Sequence, residues 1–287
     1  RQNLSRYLAE ITYYDSQVGE SLALLEKHGL AEHTLVIVVS EQGSSFPFAK
    51  WTCYDLGLKT SFIIKWPGNI KAGTRNNALT QYVDLVPTLL EAAGNDPLEI
   101  NTGIADSDGG NGFDGNSFLD VLKGRSAKHR EYVFGIHTTR GIYSGSVCYP
   151  VRSVRSRQYK YILNLNSSAD FFNLVTVRNK GIYQQWLEIT RDDADRYNYI
   201  LKYLRRPKEE LYDVLADPYE MKNLADNPDF AEIKDNLATE LGNWMKRQGD
   251  NGIDTEMEAL ERQLRFDEDN WKGREEQQNQ KILKLKE

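Results

Sequence analysis

One short segment carries side chains that could bind a metal ion beside an anion. Glu41 and Gln42 follow the apolar run 34–39, and Gly43 permits an immediate turn. A carboxylate and an amide carbonyl are hard oxygen donors of the kind that Ca²⁺ and Mg²⁺ prefer. Lys50 lies seven residues beyond Gly43, and its ammonium could neutralise an anionic oxygen near the cation. The segment predicts a metal and anion site; the competing interpretation is an ordinary turn after a strand with a solvated lysine.

Two residues farther along are candidates for holding a substrate. His137 ends the strand-like run 131–137, where an imidazole could hydrogen-bond a sugar hydroxyl or the leaving oxygen. Arg140 could pair with a carboxylate or a sulfate through two hydrogen bonds. A structural role for His137 and a solvent-facing Arg140 are the competing interpretations. Trp51, beside Lys50, could stack on a sugar ring or pack inside the fold.

The segments that must position these residues predict an α/β unit at the start of the chain. Apolar residues recur at helical spacing over about 4–28. The runs 34–39 and 61–66 are continuous and apolar, which is typical of strands buried on both faces of a parallel sheet. A further helix is predicted over 84–93. In such a sheet, ligands bind beyond the carboxyl ends of the strands, where the two candidate metal ligands lie.

The sequence changes character after residue 95, which divides the chain into four predicted parts. Residues 1–95 form the α/β unit, and 96–116, rich in Gly, Asp and Asn, predict a polar loop or a domain boundary. Short strand-like runs separated by turns predict a small antiparallel α+β subdomain over 117–229. Those runs are 131–137, 152–154 and 159–165. Residues 230–287 predict a charged helical tail.

Composition limits the classes of partner. The 287 residues carry 36 basic and 42 acidic side chains, a formal charge of −6, and lack the basic field that binding nucleic acid needs. No apolar run approaches the roughly 20 residues of a membrane span. The two cysteines, Cys53 and Cys148, permit at most one disulfide and form no Cys-x-x-Cys zinc pair. We therefore expect neither nucleic acid nor a membrane as a partner.

An ordered series of motifs resembles the type I, formylglycine-dependent sulfatases. It begins in the first helix and runs through the turn at Glu41 to Trp66-Pro67-Gly68. Further members follow in the order that the family has them. They are Tyr82 to Leu89, Asp114 to Phe118, Leu122 to Gly124, Tyr159 to Ile162, Glu209 to Asp213, Asp217 to Glu220 and Asn223 to Ala225. The chain thus resembles the C-terminal portion of such an enzyme, with features of bacterial glycosaminoglycan or heparan N-sulfatase-like members.

The resemblance implies a fold and a chemistry. The fold is α/β: part of an alkaline-phosphatase-like mixed sheet flanked by helices, followed by a small antiparallel α+β subdomain. Family members carry a formylglycine whose hydrate attacks sulfur and a calcium ion that binds the sulfate oxygens. In this sequence Glu41 and Gln42 match two adjacent metal ligands, and Lys50 matches the catalytic lysine that contacts sulfate. We expect His137 and Arg140 to bind substrate.

The sequence departs from the family pattern in two ways. The family usually has Asp followed by Asn or His, whereas Glu41 and Gln42 each add a methylene, about 1.5 Å of reach. We expect the loop to compensate by standing back; an altered or empty metal site is the alternative. The nucleophile motif, Cys or Ser followed by x-Pro-x-Arg, is not found in its usual place. Cys148, Pro150 and Arg152 satisfy the bare pattern but lie far downstream, before a strand-like run.

These observations predict the C-terminal portion of a sulfuric ester hydrolase acting on sulfated sugars, with the nucleophile in a missing N-terminal part. The chain alone is expected to be inactive, to expose apolar surface that its other part covers, and to be prone to self-association. Family habit implies an exported (periplasmic or extracellular) or a lysosomal protein. Two interpretations stay open beside this one: a phosphonate or phosphate ester hydrolase on the same scaffold, and a non-catalytic fragment that binds sulfated glycans or another subunit.

Overall fold

The computed structural model describes residues 2–140, 145–177 and 181–260. The strands are β1 (Val36–Val39), β2 (Phe62–Lys65), β3 (Val133–His137), β4 (Val151–Arg155), β5 (Tyr159–Asn164) and β6 (Glu209–Asp213). The longer helices are α1 (Gln2–Lys27), α3 (Leu85–Ala92), α6 (Ile182–Ile189), α7 (Ala194–Lys202) and α8 (Ala231–Arg247). One-turn helices are α2 (Asp55–Leu58), α4 (Leu119–Leu122), α5 (Leu174–Val177) and α9 (Ile253–Met257). The helices and strands predicted over residues 4–165 are present, with ends shifted by one or two residues.

β1 and β2 form a two-stranded antiparallel sheet in which Val36 lies opposite Lys65 and Val39 opposite Phe62. The expected parallel relation between these strands is therefore wrong. A parallel pair needs a crossover connection, usually a helix, and the segment between β1 and β2 contains only the single turn α2. The side chains of β1 are half-buried rather than buried, and Ile63 in β2 is 62% exposed.

The first helix, α1, touches the rest of the described chain through a narrow stripe. Val18, Leu22 and Leu25 are half-buried at helical spacing, while Leu8 and Ile11 are exposed. Apolar surface of this kind was expected for the first part of the chain. Self-association through it stays a prediction.

The second group of elements is a four-stranded antiparallel sheet in the order β3-β4-β5-β6. It confirms the predicted antiparallel α+β arrangement, and β6 completes the sheet although the sequence analysis did not predict it as a strand. The helices α5, α6 and α7 are inserted between β5 and β6. Each strand pairs with the strand next to it in sequence, so the sheet is an antiparallel meander with one long insertion before β6.

The two faces of this sheet bury different kinds of side chain. On the face that packs against α8, Val154, Tyr161 and Leu211 join an aliphatic core. Because side chains alternate along a strand, the adjacent residues Lys160 and Tyr212 point to the opposite face. That face forms an aromatic core together with Phe48, Cys53, Tyr54, Tyr149, Phe171, Tyr183 and Tyr203. The segment after β1 therefore packs into the core of the second group.

A buried carboxylate joins the start of α3 to the approach to β3. Asp84 is fully buried and accepts hydrogen bonds from Arg130 Nε at 2.7 Å and from the backbone N–H groups of Gln81 and Asn116 at 2.9 Å each. His129 Nε2 lies 3.2 Å from it. Burial alone would raise the pKa of Asp84, but the hydrogen bonds from Arg130 and His129 hold that pKa well below its usual range.

The four-part division of the chain stays a prediction. Residues 96–116 contain one 3₁₀ turn, Pro97–Glu99, and otherwise form loops. Of the predicted tail, α8 and α9 are helical, and residues 261–287 lie outside the described part. No helix in the described ranges is long and apolar enough to cross a membrane.

Candidate active site

The candidate residues after β1 lie on one closed loop. The Gly43 N–H donates to the Gly57 carbonyl at 3.0 Å, which joins the two ends of the segment 43–57. A Cβ at Gly43 would lie 1.8 Å from the Leu56 carbonyl oxygen, so the position requires glycine. Within the loop, the Lys50 N–H donates to the Ser44 carbonyl at 2.8 Å. Glu41 and Gln42 therefore lead directly into the loop that carries Lys50.

The two candidate metal ligands have uncommitted oxygens. Glu41 is exposed and Gln42 is half-buried, and within the described ranges no hydrogen bond or ion pair engages either side chain. Oxygen donors of this kind suit calcium. Because Ca²⁺ takes about six to eight oxygen ligands, the pair would supply only part of its coordination shell. The described residues contain no cluster of three or more His, Cys, Asp or Glu side chains that would complete a shell. Metal binding by this pair stays a prediction.

Lys50 lies on a strained stretch of backbone. Phe48 and Trp51 both have left-handed conformations, with φ of 66° and 67°. Such a conformation costs a bulky residue about 1–3 kcal/mol and persists only where the surroundings impose it. Lys50 is half-buried, and its Nζ lies 5.0 Å from the centre of the Trp51 ring, within the range of a cation–π contact. Trp51 thus contacts the lysine, which leaves its predicted role in stacking on a sugar untested.

His137 is a buried, neutral imidazole at the end of β3. Its side chain lies edge-on to Phe171, with 5.5 Å between ring centres. Burial, with smaller contributions from Arg206 and Arg152, lowers the pKa of His137 to about 3. Its Nε2 has no hydrogen-bond partner among the described residues. His137 can therefore offer a hydrogen bond near neutral pH, but not a positive charge.

The loop after His137 is held by a distant carboxylate. Glu256, in α9, is buried and accepts hydrogen bonds from the backbone N–H groups of Thr139 at 2.7 Å and Arg140 at 2.8 Å. It also accepts one from the Thr138 hydroxyl. The backbone of Arg140 is thus fixed, and its side chain is half-buried. The sequence analysis missed Glu256, because one acid within a charged helical segment carries no distinguishing signal.

The aromatic core links the Lys50 loop to the surroundings of His137. Phe48 belongs to the same cluster of buried side chains as Phe171, which in turn contacts His137. Among the described contacts, none joins Lys50 directly to His137 or Arg140. The structure therefore places the candidate residues on two segments that share a core, without direct side-chain contact.

Cys148 lies in a setting unlike that of a nucleophile that opens a helix. It is followed by the strand β4, and its carbonyl accepts a hydrogen bond from Asn166 at 2.8 Å. Burial, followed by the nearby Glu256 carboxylate, raises the pKa of its thiol. Arg152, the last residue of the matching pattern, is buried in an ion pair with Asp250 at 2.5 Å. This context agrees with leaving Cys148 out of the predicted site.

A buried ionic cluster lies beside the loop and was not predicted from the sequence. Asp55, Lys160 and Glu220 come together from α2, β5 and the turn after β6. Lys160 and Glu220 had been noted only as parts of family motifs. One signal was available: Lys160 interrupts a strand-like run of Tyr, Ile and Leu, where a buried charge needs a partner.

The sequence comparisons find similarity to sulfatases. A family model described as Sulfatase matches residues 1–95. An ulvan-active sulfatase of Formosa agariphila is 34% identical over 249 residues, covering 85% of this chain and 43% of the relative. The human N-sulphoglucosamine sulphohydrolase is 26% identical over 257 residues, covering 85% of this chain and 48% of the relative. The chain thus spans less than half the length of these two relatives.

Solved structures share the fold. One is the structure of a protein in complex with its substrate, D-glucosamine-2-N,6-O-disulfate. The match covers 85% of this chain and 40% of that protein's chain, with a TM-score of 0.59 and 23% identity. The phosphonate monoester hydrolase of Agrobacterium radiobacter matches 81% of this chain and 39% of its own, with a TM-score of 0.54 and 19% identity. At these identities the likeness concerns the fold, and it confirms the expected fold class.

Proposed function

This chain belongs to the sulfatase family, and on that basis we propose that the protein of which it forms part hydrolyses sulfate esters of sugars. The observation that carries the proposal is the closed loop after β1. Glu41 and Gln42, whose side-chain oxygens are unengaged among the described residues, directly precede this loop, and its strained backbone carries Lys50. Oxygen donors for a cation beside an ammonium suit a tetrahedral, doubly charged anion such as a sulfate group.

The proposed substrate class rests on the relatives. Their names are ulvan-active sulfatase, N-sulphoglucosamine sulphohydrolase and N-acetylglucosamine-6-O-sulfatase, each of which refers to a sugar. His137 belongs to the proposal by its position alone, because its unpartnered Nε2 is buried among protein atoms and its contact with a sugar hydroxyl stays a prediction. Arg140, on a backbone held by Glu256, would supply the positive charge that His137 lacks. Export from the cytoplasm or a lysosomal location belongs to the same proposal.

We assign Glu41 and Gln42 as two ligands of a calcium ion. When bound, the ion would polarise the sulfate oxygens and favour attack at sulfur. The residues of this chain would contribute the oxygens that hold it and, through Lys50, a second positive charge beside the sulfate group that is transferred. The longer side chains of Glu41 and Gln42 are compatible with this role only if the ion lies farther from β1 than an Asp and Asn pair would place it.

Replacement of Lys50 tests the catalytic assignment. In the complete protein, release of sulfate from D-glucosamine-2-N,6-O-disulfate is measured for the wild type and for Lys50→Ala. We expect kcat to fall about 100-fold, because a charge that stabilises the transferring group is lost. Lys59→Ala, an exposed lysine just beyond the loop, is the matched control and should retain full activity. An unchanged kcat in Lys50→Ala would remove Lys50 from the mechanism.

Calcium titration tests the metal assignment separately. Calorimetry should detect Ca²⁺ binding to the complete protein, weakened at least about tenfold in Glu41→Ala. Glu32→Ala, an exposed acid before β1, is the control and should bind as the wild type does. Equal affinities in all three proteins would exclude Glu41 as a ligand. Glycan binding without calcium binding or turnover would instead favour a non-catalytic relative.

A second candidate is phosphonate or phosphate ester hydrolysis, favoured by the shared fold with the phosphonate monoester hydrolase. The same loop could accept a phosphonate, since that group is also a tetrahedral anion. Measuring kcat/KM for a sulfate ester and a phosphonate monoester with one leaving group decides between them. A higher kcat/KM for the phosphonate would make this second activity the main one.

A further inference from the structure

Backbone strain in the described part of the chain is confined to the Lys50 loop and one distant residue. Three non-glycine residues there have positive φ: Phe48, Trp51 and Glu220. The first two flank Lys50 at a distance of one or two residues. Glu220 lies more than 160 residues away in sequence, yet its side chain reaches the end of the same loop.

The Glu220 side chain binds the backbone of the Lys50 loop. Its Oε2 accepts a hydrogen bond from the Asp55 N–H at 2.6 Å, at the point where the loop enters α2. The carboxylate is buried, and its Oε1 lies 3.1 Å from the Lys160 ammonium. Glu220 itself has a left-handed backbone conformation, with φ of 54°. The residue that fixes the end of the loop is therefore also strained.

Lys160 binds the loop at an adjacent point. Its Nζ donates to the Cys53 carbonyl at 3.1 Å and forms an ion pair with the Asp55 carboxylate. The side chain of Lys160 is 1% exposed, so these partners replace its hydration. Arg155 adds a second ion pair to Asp55 at 3.1 Å. Charged side chains of the four-stranded sheet and of the turn after it therefore bind polar groups of residues 53–55.

Further contacts hold the part of the loop that lies nearer to Lys50. The Phe48 ring stacks on Tyr199 with 4.9 Å between centres and meets Tyr203 at 5.0 Å. The Thr52 hydroxyl donates to the Ala49 carbonyl at 2.8 Å. Gly57 lies so close that a Cβ there would be 2.5 Å from the Ala49 carbonyl oxygen. Phe48, Ala49 and Thr52 thus contact other parts of the fold, while the ammonium of Lys50 faces the Trp51 ring.

We propose that Lys160 and Glu220 are positioning residues that hold the strained loop and thereby aim Lys50 at the sulfate group. The proposal rests on the function proposed for Lys50. Neither residue touches substrate; both act through the backbone of residues 53–55. The strained conformations at Phe48 and Trp51 are maintained because the end of their loop is fixed by buried charges, and release of that end allows the loop to relax.

Kinetics of the complete protein test this relation through Lys50 itself. Glu220→Gln keeps the shape and an oxygen for the Asp55 N–H but removes the charge that pairs with Lys160; Lys160→Met removes the ammonium and keeps the length. We expect each to lower kcat about tenfold to 100-fold on D-glucosamine-2-N,6-O-disulfate, with KM changed less than about threefold. In a Lys50→Ala background the same changes should lower kcat less than about twofold. Asp120→Asn, which breaks an exposed ion pair with Arg125, is the control.

An equal loss of kcat with and without Lys50 would show a general structural effect and overturn the proposal. So would an unchanged kcat in Glu220→Gln and Lys160→Met. If Lys160→Met does not fold, Glu220→Gln alone decides, because it preserves volume and one hydrogen bond. A wild-type protein that hydrolyses no sulfate ester would contradict the proposed function and leave the positioning role to a second measurement.

Amide hydrogen exchange supplies that measurement without turnover. In Glu220→Gln, the amides of Lys50 and Thr52, bonded to Ser44 and Ala49, should exchange about tenfold faster than in the wild type. The Val154 amide, in a central strand of the sheet, should change less than about twofold. Unchanged exchange at Lys50 and Thr52 would overturn the positioning role, whatever the activity of the protein.

Discussion

The two sheets of this chain bury their residues to different degrees. In the β1–β2 pair and α1, apolar side chains are half-buried or exposed. In the four-stranded sheet, Val151, Val154, Leu211 and Tyr212 are completely buried, and so are the charged groups of Lys160 and Glu210. The second region is therefore stabilised by contacts within the described chain, whereas the first presents apolar surface to its surroundings.

The candidate active site has residues in both regions. Glu41 and Gln42 end the less buried sheet and have uncommitted side chains. Lys50, a few residues later, belongs to a loop packed into the core of the second region. His137 and Arg140 lie entirely on the second region. The proposed metal ligands therefore lie at the edge of one region and the proposed anion-binding lysine in the other, and the following four predictions test the contrast between the regions.

The largest effect is expected in the core of the four-stranded sheet. Leu211 is fully buried between β5 and α8. Leu211→Ala should lower the free energy of unfolding by about 2–5 kcal/mol, because it removes buried surface and leaves a cavity. Denaturant unfolding of the 287-residue chain measures it. A loss below about 1 kcal/mol would mean that this core is loosely packed and that the contrast between the regions is false.

A smaller loss is expected at the carboxylate that holds the loop after β3. Glu256→Ala should lower the free energy of unfolding by about 2–3 kcal/mol, since it leaves the buried N–H groups of Thr139 and Arg140 without acceptors. Glu232→Ala, at an exposed acid of α8, is the control and should change stability by less than about 0.5 kcal/mol. Similar losses in the two variants would show that the loop does not depend on Glu256.

The pH dependence of unfolding tests the burial of His137. Its pKa is about 3 in the folded protein, against about 6.5 when unfolded, so only the unfolded chain gains the proton between these values. Stability should therefore fall by about 1.4 kcal/mol per pH unit as pH drops below about 6. Carboxyls with lowered pKa values, Asp84 and Asp55, act only at more acid pH. Burial raises the pKa of Glu220, which works in the opposite direction, so the difference between variants is the quantity to compare.

His137→Gln should remove this component between about pH 6 and 4.5, whereas His33→Gln, at an exposed site, should retain it. Chemical denaturation across this pH range measures both. An identical pH slope in His137→Gln and the wild type would contradict a buried, neutral His137 and revive its interpretation as a charged substrate ligand.

The smallest effect is expected in the first region. Leu8, in α1, is 53% exposed, and alanine is at least as good a helix former. Leu8→Ala should change the free energy of unfolding by less than about 0.5 kcal/mol. A loss above about 1.5 kcal/mol would show that the face is covered in solution. Sedimentation of the wild type and the variant would then reveal whether a second copy covers it.

The sequence by itself was enough for the family, for α1, α3 and the strands β1 to β5, and for singling out the candidate residues of the loop. Periodicity identified α1 because its apolar residues repeat along the chain, and β1 and β2 because their apolar runs are bounded by polar turns. Glu41, Gln42 and Lys50 were found because they are close together in sequence. Patterns of this kind depend on neighbours within a few residues, which a single sequence displays directly.

Only the tertiary structure decided the direction of β1–β2 pairing, the burial of His137 and the partners of buried charges. Lys160, Glu220 and Glu256 each act on residues more than 100 positions away, and nothing in their local sequence specifies the partner. Their charges are held where three separate elements meet. Because the cost of burying a charge depends on that meeting point and not on the neighbours in sequence, the structure alone could show which segments these charges bind.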